Sequence, residues 1–333
     1  MDLQTRIQAF TRLGNYFNNF DALTIEKAHH HNQWFTPENT LLSLNAWANQ
    51  LTEQNLNKWV SNYSINATTP RKVGVIMASN IPLVGFHDML TVLLSGHHAL
   101  VKPGSDDEVL MKHVIEKLTE LEPAFAERVT IVEKLKEYDA VIATGSNNTA
   151  RYFESYFKHK PNIIRKNRTS VAVLNGDETE TDFKALGLDI TRYFGLGCRN
   201  VTKLYVPQDF KIPTFLDAIQ EYDYMGNHNK YYNNYVYHKA IFLMNQTEFL
   251  DNLFLNIKED ERLHAPIGCL YYERYNDITE VKNKLAAQAD DLQCVVAKNS
   301  VVDNAISFGK SQEPALWDYA DNVDTMKFLL SLQ

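Results

Sequence analysis

The residues best suited to covalent chemistry are three cysteines, Cys198, Cys269 and Cys294. Their odd number, wide separation and lack of CxxC spacing argue against a disulfide framework or a structural zinc site, so any cysteine that matters acts alone. Cys198 stands apart because Gly195 and Gly197 precede it, permitting close backbone approach, and the polar pair Arg199-Asn200 follows before a strand that closes at Pro207. A thiol exposed in such a turn titrates near ~8.5 and falls toward neutrality beside a cation or a helix amino terminus, which makes the sulfur a nucleophile for a carbonyl or thioester carbon. Cys269 and Cys294 adjoin apolar, strand-like residues and read as buried. Two phosphate-loop look-alikes fail on spacing. The third glycine of a GxGxxG built on Gly195-Leu196-Gly197 falls at Asn200, and the first glycine of a loop ending Gly309-Lys310-Ser311 falls at Asn304. His29, His30 and His31 cannot share one helix face, so they read as a solvated helix face, and His97-His98 read the same way.

These residues sit in a chain of 333 residues with 44% hydrophobic, 11% aromatic and 22% charged content, which describes a folded protein of two domains or one large α/β unit. The formal charge of -8 is spread without a basic block, which disfavours nucleic acid as a partner. There is no 18-residue apolar run and no signal-peptide core in MDLQTRIQAF, so the expectation is a cytoplasmic protein with no membrane span.

The elements that must position the site alternate. Residues 1–62 carry helical spacing, as in Leu41, Leu44, Trp47, Ala48 and Leu51, with Pro37 in a first turn after a Thr36 cap. From Pro70 the pattern predicts strand Val73 to Met77, helix 83–95, strand Ala99 to Val101, helix 107–121, and strands Val129 to Val132 and Ala140 to Ala143, the last running into Thr144-Gly145-Ser146. A second series follows: strand Val171 to Leu174, helix 181–194 and strand Lys203 to Val206. Tyr231 to Tyr237 and Ala240 to Met244 read as strand, as do Leu270 to Tyr272 and Cys294 to Val296. Alternation of this kind predicts parallel βαβ units with ligands beyond the carboxyl ends of the strands.

The run Gly74-Val75-Ile76-Met77-Ala78-Ser79-Asn80-Ile81-Pro82-Leu83, then Gly96-His97-His98-Ala99-Leu100-Val101-Lys102-Pro103, resembles the cofactor half of the aldehyde dehydrogenase superfamily. Thr144-Gly145-Ser146 is similar to its TGS turn, and Cys198 follows about 50 residues later, as the catalytic cysteine does there; Ala265-Pro266-Ile267-Gly268 is a weaker match. The resemblance spans 70–207. It departs where aldehyde-oxidising members carry a glutamate base, a position matched here to Val173-Leu174-Asn175-Gly176. The short chain and the tail from Phe308 look like the acyl-CoA reductases related to the fatty-acid reductase subunit of bacterial luminescence, in their short form, as does Asn227 to Tyr235.

That resemblance implies an aldehyde dehydrogenase-like α/β fold of two domains with mostly parallel sheets and an active-site cleft between them. Residues 1–170 would bind the nicotinamide cofactor, with the tail 308–333 packing back, and 171–307 would carry the cysteine. It implies reduction of an acyl-CoA, a fatty acyl thioester, to an aldehyde through an acyl-cysteine on Cys198, with Asn80 as oxyanion donor. Met77, Lys102, Ser105, Gly145, Ser146 and Gly176 are the matching cofactor-side positions. Ser105 stands where the usual Lys-Pro-Ser-Glu run has its glutamate, the run here reading Lys102-Pro103-Gly104-Ser105, and the loss of that carboxylate favours NADPH, with NADH the alternative. Two other readings stay open: an aldehyde or semialdehyde dehydrogenase with Asp177 or Glu178 as base, and a non-catalytic acyl-binding subunit of an acyltransferase partner. A monomer or small homo-oligomer is expected.

Overall fold

A computed structural model describes residues 1–65 and 69–332. The chain divides into two compact units, Met1–Asn167 with Ala315–Gln333, and Arg168–Pro314. Unit 1 opens with helices α1 (Leu3–Phe17), α2 (Ala22–His31), α3 (Pro37–Gln50) and α4 (Glu53–Val60). Each starts where a short oxygen-bearing side chain, Asp2, Asp21, Thr36 or Thr52, accepts the N–H three residues on, which satisfies a donor the helix itself leaves open. They bury Phe10, Leu13, Phe17, Leu44 and Trp59 in the same core as the helices that flank the following sheet, with Phe10 and Phe17 edge-on to Phe86.

That sheet comprises β1 (Lys72–Ile76), β2 (His98–Lys102), β3 (Val129–Ile131), β4 (Ala140–Thr144) and β5 (Asn162–Arg165), joined through α5 (Phe86–Ser95), α6 (Glu108–Leu121) and α7 (Asn147–Phe157). All pairings are parallel in the order β3-β2-β1-β4-β5. The near-continuous apolar runs of β1 and β4 follow from this, since both faces of a parallel sheet are covered.

Unit 2 contains β6 (Thr169–Val173), α8 (Glu180–Thr191), β7 (Val201–Pro207), α9 (Ile212–Ala218), α10 (Asn229–Met244), β8 (Leu250–Asp251), β9 (Asn256–Glu259), β10 (Cys269–Tyr275), α11 (Ile278–Ala287) and β11 (Leu292–Ala297). Its sheet runs β11-β6-β7-β10-β9-β8 and is parallel except for β8 against β9. The fully buried Lys203 on β7 is held by Glu273 at 2.5 Å and by the Glu261 carbonyl at 2.7 Å, and Lys284 also pairs with Glu273. After unit 2 the chain returns to unit 1 and ends in α12 (Thr325–Leu330). There Tyr319 accepts the Trp59 indole N–H at 2.8 Å, and Arg165 donates to the Ala320 carbonyl at 2.7 Å, to Thr325 Oγ1 at 2.9 Å and to Asp88 at 2.7 Å.

The α/β class with mostly parallel sheets agrees with the sequence rhythm, and two local expectations are corrected. The stretch from Tyr231 to Met244, read as strand, is the helix α10: His228 Nδ1 accepts the Tyr231 N–H, and Tyr231, Tyr235 and Phe242 fall on one buried face. Neither His97 nor His98 is on a solvated helix face. His98 is the half-buried first residue of β2. His97 is buried between α5 and β2, where Nδ1 accepts the Arg71 N–H at 3.1 Å and Nε2 donates to the Leu329 carbonyl at 2.9 Å, and burial depresses its pKa. Among the described residues no helix is long and apolar enough to cross a membrane.

Candidate active site

In unit 1 the chain moves outward from β1 through β2 to β3, then crosses back to β4 and β5. The strand order thus reverses between β1 and β4, and in open parallel sheets the carboxyl ends of the strands at such a switch point are where ligands bind. Six of the sequence-predicted residues lie at this end. Met77 and Asn80 follow β1, Lys102 ends β2, Ser105 lies three residues beyond it, and Gly145 and Ser146 follow β4. Asn80, Lys102, Ser105 and Ser146 are exposed, whereas the Met77 side chain is buried and its N–H donates to the Lys102 carbonyl at 3.0 Å. Ser146 caps α7 by accepting the Thr149 N–H at 3.3 Å, at the helix end that carries partial positive charge.

Close backbone approach shapes this end of the sheet. A Cβ at Gly104 would lie 2.5 Å from Ser79 Cβ and 3.0 Å from the Met77 carbonyl oxygen, so only glycine lets the loop after β2 lie against the loop after β1. The same two loops are tied by Asp107, which sequence reasoning missed. Its Oδ2 accepts the N–H of Leu83, a residue held at φ 57, while its Oδ1 is buried without a hydrogen-bond partner. Burial drives the Asp107 pKa well above the usual carboxyl range, against the pull of the Leu83 N–H.

In unit 2, Cys198 lies half-buried in the turn that enters β7. The backbone leading to it is unusual: Tyr193 (φ 54, ψ 28), Phe194 (φ 56, ψ 26) and Gly195 (φ 76) are left-handed in succession. A side-chain-bearing residue there costs on the order of 1–2 kcal/mol. Behind the thiol, Ser170 on β6 donates its hydroxyl to the Cys198 carbonyl at 2.9 Å, which leaves its oxygen to accept from the Cys294 thiol at 3.0 Å. Burial raises the Cys294 pKa, with the Arg199 guanidinium pulling it back, and burial pushes the Cys269 thiol up to about 12. Gly309-Lys310-Ser311 is closed by a carboxylate of the chain itself, since Asp189 accepts the Gly309 and Ser311 N–H groups at 2.6 and 2.9 Å.

Gly176 lies elsewhere in unit 2. β6 and β7 run parallel with Ser170 opposite Val201 and Val173 opposite Tyr205, so Cys198 stands before the amino ends of the pair and Gly176 beyond the carboxyl end, beside Pro207. A strand length separates those ends, roughly 13 Å at ~3.3 Å per residue. Asp177 and Glu178 share the far end, where both Glu178 carboxylate oxygens accept N–H groups, from Asn175 at 2.9 Å and Gly176 at 3.0 Å. Between Glu154 and Asp177 the sequence has no acidic residue, so the segment entering β6 on the Cys198 side brings no carboxylate.

The sequence profile of the family described as acyl-CoA reductase (LuxC) matches residues 21–215, more than half of the chain and inclusive of Cys198. The chain belongs to that acyl-CoA reductase family. Solved structures similar to this reductase-family chain include aldehyde dehydrogenases. An acetylating aldehyde dehydrogenase from Geobacillus thermoglucosidasius shares 11% identity over 98% of this chain and 90% of its own, with a TM-score of 0.67. An indole-3-acetaldehyde dehydrogenase from P. syringae, in complex with NAD+ and IAA, shares 13% identity over 92% and 74%, with a TM-score of 0.69. An NAD-dependent benzaldehyde dehydrogenase from Corynebacterium glutamicum shares 13% over 89% and 76%, with a TM-score of 0.64. No curated protein matches the sequence. Family and fold together support aldehyde-level oxidoreduction by this member of the acyl-CoA reductase family.

Proposed function

We propose that the protein reduces an acyl-CoA thioester to the corresponding aldehyde with a reduced nicotinamide dinucleotide, through an acyl-cysteine on Cys198. The observation that carries this reading is the family match across residues 21–215, which includes the turn presenting Cys198. Cys198 Sγ as thiolate forms a bond to the thioester carbon, and the carbon–sulfur bond to coenzyme A breaks, the departing thiolate taking up a proton. The nicotinamide, when bound, supplies the hydride that converts the acyl group to the aldehyde level. Cleavage of the carbon–sulfur bond to Cys198 then releases aldehyde and restores the thiolate. Oxyanions arise in both additions, and the Asn80 amide with the Cys198 N–H are the donors this reading assigns to them.

This reading assigns the dinucleotide to the carboxyl ends of β1, β2 and β4 in unit 1. The close loop approach at Gly104 keeps side-chain bulk out, the exposed α7 N-terminus at Gly145-Ser146 suits a pyrophosphate, and the exposed Lys102 ammonium suits ribose hydroxyls or a 2'-phosphate. The glycine-serine pair after Pro103 favours NADPH over NADH on the same grounds as above. The lack of any acidic residue between Glu154 and Asp177 along the chain entering β6, with Glu178 bonded at the far end, supports transfer of the acyl group by thiol exchange over its hydrolysis and weighs against the aldehyde-oxidising alternative.

The test incubates a series of acyl-CoA esters with NADPH or NADH and follows reduced-nicotinamide absorbance together with free coenzyme A thiol. Matched loss of absorbance and gain of thiol is expected. Thiol release without nicotinamide oxidation would remove the hydride step, and silence in both would shift the reading to an acyl-binding subunit.

A further inference from the structure

The turn before Cys198 poses a physical question: consecutive left-handed residues persist only where their surroundings over-determine them. Asn200 supplies that determination. Its side chain is fully buried, and its Nδ2 donates to three carbonyls at the end of α8, those of Asp189 (3.1 Å), Ile190 (3.3 Å) and Arg192 (2.9 Å). Its Oδ1 accepts the Gly197 N–H at 2.8 Å, and its own N–H donates to the Gly197 carbonyl at 3.0 Å. One amide thus joins the carbonyls that α8 leaves open to the residue preceding the thiol. Only a side chain with both donors and an acceptor can do so, which singles out asparagine at this length.

We propose that Asn200 is the positioning residue for Cys198, fixing the direction in which the left-handed turn presents the thiol to the substrate carbonyl. The inference rests on Cys198 being the nucleophile. Ser170 secures the Cys198 carbonyl from the β6 side, so the residue is held both before and after its α-carbon, and Asn200 acts on the side the strand register does not reach.

The experiment compares full-length native protein with Asn200→Ala, Asn200→Asp, Asn256→Ala and Cys198→Ala. Asn256 is the matched control, a fully buried asparagine of the same unit whose Nδ2 donates to the Tyr235 and Gly268 carbonyls, remote in sequence from the Cys198 turn. Two quantities are read: kcat and KM for the best acyl-CoA ester with NADPH, and the pH profile of Cys198 alkylation by iodoacetamide, followed on its peptide by mass spectrometry. Asn200→Ala should lower kcat by about 10- to 100-fold with KM within about threefold, the scale of a misplaced reacting atom, and should move the Cys198 alkylation midpoint away from that of native protein. Asn256→Ala should melt earlier yet keep the native kcat and midpoint.

Asn200→Asp should come closest to native activity at acid pH and lose it, as a ratio at each pH, as pH rises and the carboxyl ionises, because a neutral carboxyl keeps an O–H donor toward the α8 carbonyls while its other oxygen still accepts from Gly197. This variant carries the test should Asn200→Ala not fold, and a pH-independent ratio would overturn the proposal. So would a native kcat and alkylation profile in Asn200→Ala, or equal losses in Asn200→Ala and Asn256→Ala. An inactive Cys198→Ala beside a native-like Asn200→Ala would sink the positioning role alone, whereas an active Cys198→Ala would sink the nucleophile and the positioning role together.

Discussion

In unit 1 the exposed polar candidates gather where β1, β2 and β4 end, whereas in unit 2 the thiol stands before β7 begins. The interiors differ as well. β1 and β4 bury Val73, Val75 and Ala140 to Ala143, while β6 and β7 bury Thr169, Ser170, Thr202 and Lys203 beside Asn200. The contrast follows from what each end offers. Past the carboxyl end of a parallel strand the chain turns toward a helix amino terminus, so N–H groups and partial positive charge accumulate where an anion can use them. Ahead of the amino end, a residue inherits rigidity from strand register and from polar side chains beneath it, which suits a group that must be aimed. A parallel sheet therefore has one end for holding charge and another for holding direction.

The sharpest way to break this comparison is Cys198→Ala, for which loss of aldehyde formation by at least about 1,000-fold is expected with an unchanged circular dichroism spectrum. Retained turnover would deny the amino end its role. Next, Asn80→Ala should reduce kcat by about 100- to 1,000-fold in steady-state assays, the usual scale for a lost oxyanion donor. A change confined to KM would remove it from that role. The buried polar interior of unit 2 is probed by Glu273→Ala, which strands the Lys203 ammonium and should destabilise the unit by about 3–5 kcal/mol in urea titration. A loss under 1 kcal/mol would mean that water reaches Lys203.

Smaller effects belong to unit 1. Lys102→Ala should raise KM for NADPH about tenfold, ~1.4 kcal/mol, and KM for NADH less; equal changes would place its ammonium away from a 2'-phosphate. Asp107→Asn should act on stability alone. The native carboxyl has a raised pKa, so folding favours its protonated form, and that advantage is lost as pH rises from the ordinary carboxyl range near ~3.9 toward the raised value. The melting temperature of the variant should therefore gain on that of native protein between pH 4 and 7. A constant gap would show that the carboxyl titrates normally.

The βαβ rhythm was legible because parallel strands covered on both faces must be apolar throughout, as Val73 to Ile76 and Ala140 to Ala143 are. The position of Cys198 in a turn before a strand was legible from its glycines. α10 was not, because its tyrosines and valine favour strands and its buried face is carried by only Tyr231, Tyr235 and Phe242, whose i, i+4, i+11 spacing was the available signal. Asn200 and Asp107 were hidden for another reason. Their partners are backbone groups, at Gly197 and the end of α8 or at Leu83, and backbone partners leave no trace in residue type. The far-end placement of Gly176 depends on strand direction and register, which a motif read along the chain does not encode.

The return of the chain from unit 2 to unit 1 sets an order of assembly. Every residue of unit 2 is polymerised before Ala315, whereas the partners of Trp59, His97 and Arg165 in the tail come afterwards. The later-synthesised unit is thus the first that can finish folding, and the earlier one must wait with the Arg165 guanidinium and the His97 ring still wanting their last acceptors. During that interval the nascent chain exposes the side of α5 that α12 will cover, which makes the half-built first unit the stage most open to chaperones and to misassociation.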